Sequence, residues 1–208
     1  MSKSSYTQPL SKRERALEEA FFREESERLL AAMRAREQRT EQYEALSGIL
    51  GVKQHAIIDP LLDLGLREEN VTALVLAPLV AVAWADRALD SEERRLILGA
   101  ESELGIDPNS EGGQLLAIWL DHRPHESLLD AWAGYVQELC KVLSPEERNR
   151  LRDDTLGRAR RIAQAIEKSF VRGGGPSEAE LEVIARIEQA FGGVPGGAGL
   201  DDAIRSMT

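Results

Sequence analysis

The chain has 208 residues, of which 42% are hydrophobic and 30% charged, with a formal net charge of -10. These proportions fit a folded globular protein and exclude a disordered one, and the acidic balance argues against non-specific binding to nucleic acid or to an anionic membrane. A single cysteine, Cys140, excludes an intrachain disulfide and suits a reducing cytosol.

Leu, Ala, Glu and Arg dominate, aromatic residues make up only 5%, and strand-length clusters of Val, Ile and Thr are scarce, so the expected class is all-α. Ser11-Lys12-Arg13-Glu14 has the spacing of a capping box. From there to residue 46 no Gly or Pro interrupts, and a long N-terminal helical arm is predicted over residues 1–46. Its apolar residues form two groups, Leu17, Ala20 and Phe21, then Phe22, Leu29 and Met33, which point in different directions on a helix. No two consecutive heptads keep both apolar positions, so a coiled-coil seam is not expected. The arm reads as a partner-binding or self-association element with Phe21, Phe22, Leu29 and Met33 as anchors.

Ser47-Gly48 and Gly51 punctuate the arm, and residues 47–70 read as a short helical connector around Pro60, carrying Ile57, Ile58, Leu61, Leu62 and Leu64. Asn70 is a candidate cap for one central helix over residues 71–85. This longest apolar run contains Pro78 and is shorter than the ~20 residues a bilayer span needs, so it predicts a buried bundle helix and no membrane insertion. No signal peptide opens the chain, and a cytoplasmic location is expected. A helix over 91–104 stops at Gly105, and Asp107-Pro108-Asn109 and Gly112-Gly113 flank a predicted turn before a helix over 114–120. Another helix follows over 127–143. Ser144-Pro145-Glu146-Glu147 then starts one that either breaks near Asp154 or continues toward Phe170. A last helix is predicted over 177–191, and residues 193–208 form a Gly-rich tail.

One helix corner recurs. Ala83-Trp84-Ala85-Asp86-Arg87-Ala88-Leu89-Asp90-Ser91-Glu92-Glu93 takes an apolar helix through an acid into a capped helix. Phe170-Val171-Arg172-Gly173-Gly174-Gly175-Pro176-Ser177-Glu178-Ala179-Glu180 repeats the plan with glycine in place of the acid. Placing Glu93 on Glu180 also places Ile97 on Ile184 and Asp90 on Ser177.

From Val82-Ala83-Trp84-Ala85-Asp86 onward this pattern resembles the tellurite-resistance TerB-like family, whose turn runs Ala-x-Ala-Asp-Gly, then a cap, then a Glu leading the next helix. Asp86, Asp90 and Glu93 match, and Arg87 stands where the family has Gly. The resemblance covers residues 71–192. It implies a compact helical bundle with an internal pseudo-twofold repeat, a link to stress and metal-resistance systems, and acids that could be metal ligands.

Asp86 ends a helix, where the macrodipole opposes its charge by about 0.3–1 kcal/mol. A Ca²⁺ or Mg²⁺ ion held by Asp86, Asp90, Glu92 and Glu93 with backbone carbonyls would offset this. An Asx turn to the amide of Ala88 or Leu89 would do so without metal. Asp90 and Glu93 have the spacing of a capping box, as do Ser177 and Glu180. The acids lack the alternate spacing and turn Gly of an EF-hand loop. His122 and His125 flank Pro124 and read as a solvated loop, and Trp84, Trp119 and Trp132 as packing residues. The basic run Arg158-Ala159-Arg160-Arg161 is interspersed with acids and lacks the aromatics of a nucleic-acid surface. No catalytic triad or dinucleotide motif is visible. The expectation is a non-enzymatic protein acting through protein–protein contacts, with metal binding at the 86–93 loop as the alternative.

Overall fold

The computed structural model describes residues 12–164 and 176–192. They fold as helices joined by short connections, and no strand occurs among the described residues. The elements are α1 (Lys12–Leu50), α2 (His55–Asp63), a 3₁₀ segment (Val71–Leu76), α3 (Ala77–Ala83), α4 (Ser91–Glu103), α5 (Glu111–Asp121), α6 (Ser127–Val142), α7 (Pro145–Ala163) and α8 (Glu178–Ala190). Compactness divides the chain into residues 1–42 and residues 43–208. Ser11, and with it the predicted first capping box, lies outside the described residues, as do Phe170 to Gly175 of the second corner and the predicted Gly-rich tail over 193–208.

In the second unit α3 is the central element, packed against α4, α6, α7 and α8. Ala77, Pro78, Leu79, Val80, Val82 and Ala83 are all buried there, and each large aliphatic side chain so placed contributes roughly 1.5–3 kcal/mol. Helix α2 buries Ile58, Leu61 and Leu62 and packs on α6, so residues 47–70 are part of this body and not a separate connector. The boundary between the units falls at Gln42 and Tyr43. Leu46 and Ser47 are already buried in the body, where the Ser47 hydroxyl donates to the Val52 carbonyl at 2.6 Å.

Four local expectations are corrected and one open alternative is decided. Helix α1 runs through Gly48 to Leu50 and stops only where Gly51 adopts φ +67°. The run over 71–85 is not one helix, because Pro78 lacks an amide to donate into the preceding turn. A 3₁₀ segment precedes it, and α3 starts with that proline in its first turn. Asn70 does not cap: its side chain accepts from the Arg67 amide and donates to the Gly65 carbonyl, bracing the loop instead. Gly112 and Gly113 do not precede the helix but form the buried first turn of α5, which starts at Glu111 and is capped by Ser110. They are glycines for lack of room, since a Cβ on Gly113 would lie 2.5 Å from the Asp107 carbonyl oxygen and 2.6 Å from the Pro108 Cα. Finally, α7 passes through Asp154 unbroken to Ala163, its Leu156, Ala159, Ile162 and Ala163 buried along one face.

Candidate functional site

The first corner is built as two consecutive side-chain–backbone turns. After α3 ends at Ala83, the chain bends with Arg87 at φ +71°, left-handed backbone that glycine adopts at no steric cost. Asp86 closes an Asx turn by accepting the Ala88 amide at 3.0 Å. Asp90 then caps α4: one carboxylate oxygen accepts the amides of Glu92 and Glu93, both at 2.8 Å. Glu93 reaches back to accept the Asp90 amide at 2.9 Å, completing a capping box.

Two further capping boxes start α7 and α8. Ser144 and Glu147 form one, and Ser177 and Glu180 the other. In the latter the Ser177 amide donates to Glu180 at 2.7 Å and the Glu180 amide donates to Ser177 at 3.2 Å. The three share a motif and differ in burial. Glu147 is exposed, and its bonds to the Ser144 amide and hydroxyl hold its carboxyl below the usual range. Glu93 and Glu180 are each only 1% exposed. Burial pushes the Glu93 carboxyl up to about 7 against the lowering effect of its amide bond, and the charges of Asp90, Glu180 and Asp86 add to the rise. The second oxygen of Glu180, Oε1, is buried with no hydrogen-bond partner. The two capping glutamates are therefore near enough to repel, inside the body, with one oxygen unsatisfied.

The acids singled out from sequence do not gather as one donor set. Asp90 and Glu93 are engaged with backbone amides, and Glu92 forms a two-pronged pair with the Arg95 guanidinium. Among the described residues no group of three or more His, Cys, Asp or Glu side chains is arranged to hold a metal ion. The 86–93 acids as they stand do not fit a Ca²⁺ or Mg²⁺ cage, which needs six to eight converging oxygens. His122 and His125 are likewise separate: His122 ends α5, and His125 accepts the Ser127 amide at the start of α6. Glu180 is the residue that sequence reasoning left out of the site. Its placement on Glu93 in the two-corner alignment was the signal for it.

The arm presents a different kind of surface. In residues 12–42 of α1, Leu17, Phe21, Phe22, Leu29, Leu30 and Met33 are all 50–64% exposed. Phe22, Leu29 and Met33 share one face, and Leu17 with Phe21 lies roughly a third of a turn away. The Phe21 and Phe22 rings meet edge to face, their centroids 5.9 Å apart. The intervening surface carries Arg and Glu, including an Arg28–Glu25 pair at 4.0 Å. No helix among the described residues is long and apolar enough to cross a membrane.

Comparison with known proteins finds no matching family model, no matching curated protein and no matching solved structure.

Proposed function

We propose that this chain is a non-enzymatic, TerB-like helical protein of the cytoplasm that works through protein–protein contacts, with the N-terminal arm as its capture element. The observation that carries the reading is the arm itself. Six large apolar side chains on residues 12–42 stand at least half exposed, an exposure that marks interaction surfaces in soluble proteins. An apolar helix face of this kind suits another helix, each anchored by its aromatic and Leu or Met side chains.

Phe22→Asp combined with Leu29→Asp tests it. The double variant should lose captured protein in co-purification from the native cell and lose any self-association in sedimentation, while the body's thermal transition keeps its midpoint. A midpoint that falls with capture makes the arm a structural element. Unchanged capture and mass end the proposal.

The TerB-like part of the reading is supported by two features of the corner: Arg87 has the backbone of the glycine that the family pattern puts there, and the glutamates of the two capping boxes lie close together in the core. On that reading the protein would serve a stress or metal-resistance system.

One observation favours a cation-sensing alternative. Glu180 Oε1 is buried and unpartnered, and the Glu180 charge acts on the buried carboxyl of Glu93. Binding would require these side chains to leave their amide partners. Titration with Ca²⁺, Mg²⁺ and Zn²⁺ that gives neither heat nor a change in melting at millimolar metal disposes of it.

A further inference from the structure

A pocket of about 150 Å³ opens between α3, α4 and α7. Arg95, Arg158 and Arg161 line it together with one acid, Glu103, a positive balance of two charges on a chain whose net charge is -10. The helical spacing explains how they meet. On α7, Arg158 and Arg161 stand three residues apart and share a face, whereas Arg160 of the same basic run lies off that face and outside the lining. On α4, Arg95, Gly99 and Glu103 follow at intervals of four and also share a face.

Two observations point to an anion. The first is Arg158, whose side chain is only 24% exposed and whose Nε is buried with no hydrogen-bond partner. Its contact with Glu103 is 3.5 Å, longer than the roughly 2.7–2.9 Å of a charge-assisted hydrogen bond, so this guanidinium is poorly compensated. A covered cation without acceptors carries an electrostatic cost that an incoming anion relieves. Because Nε is out of reach, the ligand would engage the Nη atoms. The second is Gly99, which lines the pocket within α4, where glycine weakens a helix. No atom lies within 4 Å of the place its Cβ would take, so unlike Gly113 it is not glycine for want of space. The volume a side chain would fill is part of the pocket.

We propose that this pocket binds a small soluble phosphate, as the free ion or as a monoester with a short apolar body. The charge fits phosphate better than carboxylate, because a monoester carries about -1.5 to -2 at pH 7. Guanidinium forks also pair with its oxygens two at a time. Leu79 and Ile162 complete the lining and suit an apolar body. A lipid headgroup is the poorer source, since the net charge of -10 opposes approach to an anionic bilayer. Arg95 already shares its charge with Glu92 in a two-pronged pair, so Arg158 and Arg161 carry the main contacts. No residue of the arm takes part.

Calorimetric titration of the full chain with inorganic phosphate and with phenyl phosphate, at fixed ionic strength, tests it. Heat from either supports the proposal, and the tighter of the two names the free ion or the monoester as the ligand. Arg161→Gln, at an exposed position, should weaken binding by about tenfold. Gly99→Leu should abolish it by filling the pocket, and Arg160→Gln should stay within about twofold of the native chain, its charge being exposed and screened. No heat from either phosphate up to about 10 mM overturns the proposal. So does equal weakening by Arg160→Gln and Arg161→Gln, or undiminished binding in Gly99→Leu. Sedimentation with phosphatidic acid vesicles by a chain that binds neither soluble phosphate overturns it as well. Should Gly99→Leu fail to fold, the comparison of Arg161→Gln with Arg160→Gln decides.

Discussion

Replacing Glu93 by Gln should make the protein more stable at alkaline pH and leave it nearly unchanged in acid. Glu93 ionises in the native body at about 7, against an ordinary value of 4.5, chiefly because it is buried. Between those two values the unfolded chain releases this proton and the native chain keeps it, so stability falls as pH rises through the interval. Once both states are ionised the accumulated loss is about 3 kcal/mol. Gln at this position still accepts the Asp90 amide, as capping boxes allow, though a neutral acceptor forms the weaker bond. The net gain for Glu93→Gln at pH 8.5 is therefore about 1–3 kcal/mol, which moves a urea midpoint by roughly 0.5–1.5 M. Urea unfolding of both proteins at pH 4.5, 6, 7 and 8.5 measures it, and taking the difference between them cancels other buried acids such as Glu101, whose carboxyl burial also pushes up. Glu180→Gln should flatten the wild-type slope in part, by removing one of the charges that raise Glu93. A difference that stays constant from pH 4.5 to 8.5, or one that favours the wild type in alkali, refutes the reasoning.

Gly113→Ala should cost about 2–3 kcal/mol in denaturant unfolding, because its Cβ meets backbone atoms of Asp107 and Pro108 that cannot move alone. Gly112→Ala should cost less, since its first obstacle is the Thr72 hydroxyl, a side chain free to rotate. Arg87→Gly should stabilise by about 0.5–1 kcal/mol, the left-handed penalty relieved less the entropy that glycine adds to the unfolded chain. Asp90→Ala should lower stability by about 1 kcal/mol, because it strands the amides of Glu92 and Glu93 at the start of α4, and thermal melting reads the loss.

The helices were legible where local chemistry decides them. Ser144 and Ser177, each three residues before a Glu, announced α7 and α8, and Gly105 ended the turn after α4 as its position promised. The Asx turn at Asp86 was equally readable, because its bond closes within two residues. What sequence could not convey was contact between distant segments. Gly112 and Gly113 look like the edge of a turn ahead of the helix until Thr72 and Pro108 press on them and leave no space for a side chain. Pro78 reads as tolerable within a long apolar helix, yet in three dimensions it separates a 3₁₀ segment from α3. The site followed the same division. Asp90 and Glu93 were correctly paired as a capping box, while the significance of Glu180 emerged only when α8 brought its carboxylate toward α4.

The indoles are distributed so that the molecule can report on itself. The Trp84 ring nitrogen donates to the Trp119 carbonyl at 2.8 Å, tying the residue two before Asp86 to the end of α5. Trp132 instead lines an apolar groove of the body together with Val75 and Leu139. Ionisation at the acidic bend should therefore be read by Trp84, and single Trp→Phe replacements would assign the signal by emission alone, with no dye attached.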